Sequence, residues 1–150
     1  MYNIKTTLFL LTAIIYLIEP ADSKAVQITS KNIDNILASN ELVFIMFYTD
    51  WCRFSKKVMP TFDKTADAIA KEFPEAGKVV MGKVECEKEK SLASKYNITS
   101  YPTVRVIRNG QVVKGEYSGQ TEVEDLLTLI KNKLEHPVLA FEELKKLGTL

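Results

Sequence analysis

The chain is poor in the residues that bind metals or cross-link small folds. Its 150 residues include two cysteines, Cys52 and Cys86, and one histidine, His136. Two cysteines are too few for a disulfide scaffold, and one histidine leaves no ligand set for a structural zinc site. We therefore expect no metal and no cofactor. A formal net charge of +1 also argues against binding to nucleic acid or to a membrane surface.

Long apolar runs are missing as well. The longest apolar segment near the start, residues 8–18, is far shorter than the roughly 20 residues of a membrane helix. It follows Lys5 and precedes Ala21-Asp22-Ser23, the order of charge, apolar run and small residues that is typical of a secretory signal. We expect residues 1–23 to be a cleaved signal peptide, with a buried N-terminal helix as the alternative. The mature chain would then enter an oxidising compartment.

Strand and helix patterns alternate along the mature chain, which predicts an α/β domain over residues 24–135 with a mixed, mostly parallel sheet flanked by helices. The segment 42–48 is almost wholly apolar, as in a strand buried on both faces. Asn109-Gly110 favours a tight hairpin turn. The predicted strands are 26–28, 42–48, 79–85, 103–108 and 111–117.

The predicted helices follow from apolar residues at helical spacing. Ser30 can cap the first helix, and Thr121 with Glu124 forms a capping box for the last. The long second helix covers residues 53–73, and Pro60 should kink it. A short helix covers 91–96. The predicted inward-facing residues are Ile33, Ile36 and Leu37 in the first helix, Val58, Phe62, Ala66, Ile69 and Ala70 in the second, and Val123, Leu126, Leu127 and Ile130 in the last.

Cys52 has the spacing of a dithiol motif, but Ser55 stands where the second cysteine would be. In a Cys-x-x-Cys pair the second thiol releases the mixed disulfide that the first has formed. A serine hydroxyl cannot do this, so an adduct on Cys52 should persist. The helix start, with Arg53, Lys56 and Lys57, should lower the Cys52 pKa. The alternative is a small buried hydrophobic residue beside Trp51.

Over residues 26–134 the chain resembles a thioredoxin-fold domain of the protein disulfide isomerase family. The resemblance rests on Phe47-Tyr48, Trp51-Cys52, Pro60, Lys83-Val84-Glu85, Tyr101-Pro102-Thr103 and Arg108-Asn109-Gly110. It implies a chaperone of the endoplasmic reticulum lumen and early secretory pathway. Such a protein retains client proteins with exposed thiols, and lumenal oxidoreductases, through reversible mixed disulfides. It also implies a cis bond before Pro102 and a client-binding surface made of Trp51, Arg53, Phe54, Tyr101, Pro102 and Thr103.

Two residues of the catalytic family members are missing. The buried carboxylate that accepts protons would fall at Met46, and the mobile arginine near Thr121. Without them, at most weak isomerase activity is expected. Lys83 matches the lysine of the family's charged pair, and we expect it to lack a carboxylate partner. Two alternatives to covalent retention remain open: a monothiol disulfide isomerase and a non-covalent client-binding module.

Three further features have open roles. Cys86 follows a strand that should end beside Cys52, and it is either a buried unreactive thiol or a redox partner of Cys52. Asn97-Ile98-Thr99 is a glycosylation sequon, or simply the end of a helix. The charged segment 85–90 should be a solvated surface.

The last segment, 136–150, follows the helix-breaking His136-Pro137. It carries apolar residues at helical spacing but is too short to form a second domain. We expect a linker and the truncated start of a second thioredoxin-like module. The sequence ends without a Lys-Asp-Glu-Leu-type retrieval signal, so we also expect a fragment or a short isoform.

Overall fold

The computed structural model describes residues 25–113 and 123–135. Four predictions therefore lie wholly or partly outside the described residues. These are the signal peptide, the Thr121 half of the capping box, the far end of the last strand, and the segment 136–150.

A five-stranded mixed sheet forms the centre of the described fold, in the order β1-β3-β2-β4-β5. Strand β3 pairs in parallel with β1 and with β2, whereas β4 runs antiparallel to β2 and to β5. The mixed sheet predicted from the alternating pattern is confirmed. The strands are β1 (Val26–Gln27), β2 (Leu42–Tyr48), β3 (Val79–Glu85), β4 (Thr103–Arg108) and β5 (Gln111–Val112).

Strand β2 is central because all seven of its side chains can be buried. It lies between β3 and β4, and its carboxyl end, Tyr48, pairs with Glu85. Gly82 leaves room on β3 for the Ile28 side chain, since a Cβ on Gly82 would lie 2.3 Å from Cδ1 of Ile28. The Asn109-Gly110 turn has positive φ at both residues, 48° and 77°, as a tight hairpin requires.

Helices cover both faces of the sheet. The described helices are α1 (Ile33–Ser39), α2 (Arg53–Glu72), α3 (Lys90–Lys95) and α4 (Val123–Glu135). Phe62 and Ile69 of α2 meet Leu126 and Ile130 of α4 in one core cluster. The other cluster contains Ile33 of α1 and Leu92 and Tyr96 from the region of α3. Both faces of β2 are therefore buried, because helices pack on each side of the sheet.

Two predicted details of the helices are wrong. Asn32 occupies the N-cap position of α1 rather than Ser30. The Asn32 side-chain oxygen accepts a hydrogen bond from the Thr29 N–H, and the Ser30 N–H instead donates to Glu89 across the fold. Ala70, expected to face inward, is exposed, because the buried side of α2 follows Phe62, Ala66 and Ile69. Helix α2 continues through Pro60.

Candidate functional site

Cys52 lies at the carboxyl end of the central strand and immediately before the long helix. It is the N-cap residue of α2, and its N–H donates to the Thr49 carbonyl at 3.2 Å. The residue is 8% exposed. The Cys52 Sγ lies 3.5 Å from the Tyr101 carbonyl oxygen, to which the thiol can donate. The thiol is thus held at the sheet edge where open α/β folds place their reactive groups.

The Cys52 pKa lies below the usual value for a cysteine thiol. The Ser55 hydroxyl is the largest cause, followed by the Ser55 backbone N–H, and the Phe54 N–H contributes less. Burial opposes this shift. The lowered pKa that we predicted is confirmed in direction, and the unpaired N–H groups at the start of α2 are part of its cause. The expected contribution of Arg53, Lys56 and Lys57 is not among its causes.

Ser55 lies in the first turn of α2, which Cys52 caps, and is fully buried, at 0% exposure. Among the residues that the structure describes, its Oγ has no partner that meets the full geometry of a hydrogen bond, yet its hydroxyl is the main group that stabilises the Cys52 thiolate. These two findings agree if the contact is weak in the neutral thiol and strengthens when the sulfur becomes an anion, toward which the hydroxyl can rotate. Ser55 therefore supports the thiolate without being able to displace an adduct from it.

An exposed aromatic rim lies beside the thiol. Trp51 is 63% exposed and Phe54 is 71% exposed. The Trp51 indole meets the Tyr101 ring edge to face, with centroids 6.0 Å apart, and its N–H donates to Glu87 at 2.8 Å. Large apolar side chains exposed in this way are typical of contact surfaces.

The loop before β4 completes the site. The Tyr101–Pro102 peptide bond is cis, as predicted. Thr103 begins β4, and its hydroxyl donates to the Ser100 carbonyl at 2.7 Å. Tyr101, Pro102 and Thr103 are half-buried, whereas Arg53 is exposed at the first position of α2. The structure thus brings Cys52, Ser55, Trp51 and Tyr101 into contact, with Arg53 and Phe54 on the adjoining helix turn.

Cys86 has a different environment from Cys52. It is 3% exposed, and its N–H donates to the Tyr48 carbonyl at 2.8 Å, which places it at the same edge of the sheet. Both cysteines are free thiols. Burial raises the Cys86 pKa to about 11, with the negative charge of Glu85 as a second cause, while the Tyr101 hydroxyl acts in the opposite direction. A thiol held neutral in this way favours the unreactive interpretation.

Two interpretations of charged residues require correction. Lys83 has a carboxylate partner, Asp63 of α2, with 2.7 Å between Lys83 Nζ and Asp63 Oδ1. Glu85 is not solvated: it is 2% exposed, and one of its oxygens accepts the Lys88 N–H. The sequence could not reveal the Lys83–Asp63 pair or the burial of Glu85, because both depend on how separate segments pack. Met46, the position at which the family resemblance implies a carboxylate in catalytic members, is fully buried.

Sequence reasoning also missed Glu87, which orients the Trp51 indole. Its position in a charged run made it look like ordinary surface, and the one available signal was its place just beyond the end of a strand. Among residues 25–113 and 123–135, no group of three acidic, cysteine or histidine side chains could hold a metal ion. Within the same residues, no helix is long and apolar enough to cross a membrane.

Comparison with known proteins agrees with this geometry. Human endoplasmic reticulum resident protein 44 (ERp44) is 34% identical over 141 residues, which cover 94% of this chain and 35% of that protein. A probable protein disulfide-isomerase A4 of Caenorhabditis elegans is 32% identical over 127 residues, which cover 85% of this chain and 20% of that protein. A crystal structure of human ERp44, form I, matches with a TM-score of 0.72 and 38% identity, covering 74% of this chain and 29% of the other.

The chain thus spans about a third of the length of the ERp44 relative and less of the isomerase. A family model described as thioredoxin matches residues 24–132, which include every described element of the sheet and all but the end of the last helix. The predicted thioredoxin fold and the resemblance to the protein disulfide isomerase family are confirmed. This chain belongs to the thioredoxin family.

Proposed function

We propose that the protein is a thiol-dependent chaperone that captures client proteins as mixed disulfides on Cys52. One observation carries this proposal. The Cys52 pKa is lowered chiefly by Ser55, a fully buried hydroxyl at the position of a resolving thiol. The site can therefore form a covalent bond to a client sulfur but has no neighbouring thiol at that position to break it.

The capture step needs no external oxidant when the client carries a disulfide. The Cys52 thiolate attacks one client sulfur, the Cys52–client S–S bond forms, and the client S–S bond breaks. The second client sulfur leaves as a thiolate and takes up a proton from solvent. In release, an incoming thiolate attacks the client sulfur of the Cys52–client disulfide. A new disulfide forms between the client and the incoming thiol, and Cys52 leaves as a thiolate. The lowered Cys52 pKa favours the attack by raising the thiolate fraction near neutral pH.

The aromatic rim supports recognition of the client chain. Trp51 and Phe54 expose large apolar surfaces next to the sulfur, and the Tyr101 carbonyl faces the same point. An extended client segment can pack on the rings while its backbone N–H pairs with a carbonyl of this loop. Arg53, Pro102 and Thr103 border this surface and are proposed to contact the client as well.

The names of the relatives support a compartment for this activity. The human relative is named as resident in the endoplasmic reticulum, and the other relative as a probable protein disulfide-isomerase. We extend this location to the present chain, with unfolded or unassembled secretory proteins and lumenal oxidoreductases as its partners. An oxidising lumen supplies disulfides for exchange with Cys52.

A non-covalent binding module is the second candidate, and the exposed rings of Trp51 and Phe54 favour it. Such a module would retain clients without using the thiol. By contrast, weak isomerase activity would use the same Cys52 adduct but requires rapid release. The buried Ser55 and the neutral Cys86 offer no evident route to that release.

The test compares the purified protein with Cys52→Ser, Ser55→Cys and Cys86→Ser, each mixed with a peptide that contains one disulfide. We expect the wild type and Cys86→Ser to form adducts of similar lifetime on non-reducing gels. Cys52→Ser should form none, and Ser55→Cys should release its adduct much faster. Peptide binding that persists unchanged in Cys52→Ser, with no adduct in the wild type, would establish the non-covalent module instead.

A further inference from the structure

Asn97 begins Asn97-Ile98-Thr99, the one Asn-x-Ser/Thr sequon in the 150-residue sequence. The sequon follows α3 directly, in a turn where Asn97 has a φ of 51°. Asn97 and Thr99 are exposed. Ile98 between them is half-buried and packs against the core cluster under α1 and α3. The two residues that a glycosyl transferase reads therefore face solvent, while the residue between them anchors the turn.

The backbone around the sequon is well tied to the fold. The Asn97 N–H donates to the Ser94 carbonyl at 3.0 Å, and the Ile98 N–H donates to the Ala93 carbonyl at 2.9 Å. The Asn97 carbonyl accepts a hydrogen bond from Arg105 of β4 at 3.4 Å. None of these bonds uses the Asn97 side-chain amide, so a substituent on that amide would leave them in place.

The Asn97 side chain borders an open groove away from the thiol. Asp34 of α1, Lys95 of α3, and Gly110 and Val112 of the β4–β5 hairpin line this groove together with Asn97. Because β4 runs antiparallel to β2, Arg108 pairs with the first residue of β2, and the hairpin lies at the sheet edge opposite Cys52. A glycan on Asn97 has open space along this groove.

We propose that Asn97 carries an N-linked glycan that lies over the α1–α3 groove and leaves the Cys52 site open. The Asn97 amide nitrogen bonds to the first sugar of an oligosaccharide carried on a lipid diphosphate. The sugar–phosphate bond breaks, the lipid diphosphate leaves, and the amide proton passes to a base of the transferase. The proposal rests on the secretory location in the proposed function, because the lumenal compartment supplies both the transferase and the lipid-linked sugar.

Expression of the full chain in a secretory cell line tests occupancy, with gel migration read before and after treatment with a peptide N-glycosidase. We expect a slower band in the wild type that the enzyme removes. The band should be lost in Asn97→Gln and Thr99→Ala but kept in Thr99→Ser, which preserves the sequon. The control is Gln111→Thr, which creates a second sequon at Asn109. Asn109 is also exposed, and its φ of 48° matches that of Asn97.

The control separates two kinds of failure. If Gln111→Thr carries one glycan and the wild type carries none, the chain reaches the lumen. The Asn97 proposal is then overturned, while the proposed location stands. If neither carries a glycan, the Asn97 proposal fails together with the proposed location. Placement is tested by alkylation of Cys52 in the native glycoprotein before and after sugar removal. Equal alkylation rates would support a glycan that lies over the α1–α3 groove. A markedly faster alkylation after sugar removal would place the glycan over the thiol.

Discussion

The Trp51 indole N–H donates a hydrogen bond of 2.8 Å to the carboxylate of Glu87, 36 residues away along the chain. The same indole meets the Tyr101 ring edge to face. Trp51 would otherwise be a large, mostly exposed side chain on a loop, free to adopt several rotamers. Glu87 and Tyr101 together hold it beside Cys52, so that the apolar rim is already formed for the proposed binding of a client.

Removal of the Glu87 carboxylate should loosen this rim. In Glu87→Ala we expect lower fluorescence anisotropy of Trp51, which is the one tryptophan of the chain and therefore reports without interference. Peptide capture by Cys52 should slow by no more than about tenfold, since one hydrogen bond contributes roughly 0.5–1.5 kcal/mol. Stability should change by less than about 0.5 kcal/mol because the site is exposed.

Glu87→Gln is the matched control for this prediction, because its amide oxygen can still accept from the indole. It should behave like the wild type in anisotropy and in capture. If Glu87→Ala and Glu87→Gln both leave the anisotropy of Trp51 unchanged, the hydrogen bond does not hold the ring.

Ser55→Ala should raise the Cys52 pKa, because the Ser55 hydroxyl is the largest cause that lowers it. The rate of Cys52 alkylation against pH, measured in a Cys86→Ser background, should shift to higher pH. The free energy of unfolding should change by less than about 1 kcal/mol, since the lost hydroxyl has no fully formed hydrogen bond in the neutral thiol state.

The comparison for Ser55→Ala is Ser94→Ala, which removes an exposed serine of α3. Its alkylation profile should overlay that of the Cys86→Ser parent. An unshifted profile in Ser55→Ala would show that the backbone N–H groups at the start of α2 lower the Cys52 pKa without help from the hydroxyl.

Local features of this fold were predictable from sequence. Strand β2 was predicted with its observed bounds because a short run of apolar residues is typical of a strand buried on both faces. The Asn109-Gly110 hairpin was predicted because its turn needs two residues that tolerate positive φ. The reactive position of Cys52 followed from its place between that strand and a helix. These are signals carried by neighbouring residues.

The partners that cross the fold were not predictable in the same way. Asp63 meets Lys83 because α2 packs on β3, and their separation in sequence carries no signal of that contact. The high Cys86 pKa comes chiefly from burial in the folded chain, and the Tyr101 hydroxyl, which acts against it, is brought in by the loop before β4. The α1 cap was misassigned because Ser30 and Asn32 are both capable caps, and the Glu89 contact that engages the Ser30 N–H comes from a distant segment.

Cys86 should make the protein less stable at alkaline pH. Its pKa is raised from the usual 9.0 to about 11 in the folded state. Between these values the unfolded chain has lost the thiol proton and the folded chain has kept it, so the free energy of unfolding falls as pH rises. From about pH 8 to about pH 10 the loss should be on the order of 1 kcal/mol.

Urea unfolding of Cys52→Ser and of Cys52→Ser/Cys86→Ser at both pH values isolates this effect, because the other titrating groups are common to the two proteins. The stability of the single mutant relative to the double mutant should fall at the higher pH. A constant difference would mean that Cys86 ionises at the same pH in the folded and unfolded chains.

The Lys83–Asp63 ion pair should couple α2 to the sheet. The two side chains are 15% and 25% exposed, and both Asp63 oxygens accept from Lys83 Nζ, at 2.7 and 3.0 Å. Loss of one partner leaves a poorly solvated charge, so Lys83→Met and Asp63→Asn should each reduce the free energy of unfolding by about 1–3 kcal/mol. The double mutant should lose clearly less than the sum of the two.

The exposed pair Lys88–Asp50 is the internal control for this double-mutant cycle. Its side chains are 75% and 68% exposed, and Lys88 Nζ lies 3.7 Å from Asp50 Oδ2. The same kinds of substitution, Lys88→Met and Asp50→Asn, should show a coupling below about 0.5 kcal/mol, because solvent screens the interaction. Equal couplings in the two cycles would show that the Lys83–Asp63 pair gains nothing from its burial. A larger coupling for Lys83–Asp63 would identify it as a structural link between the helix that Cys52 caps and the strand that Cys86 follows.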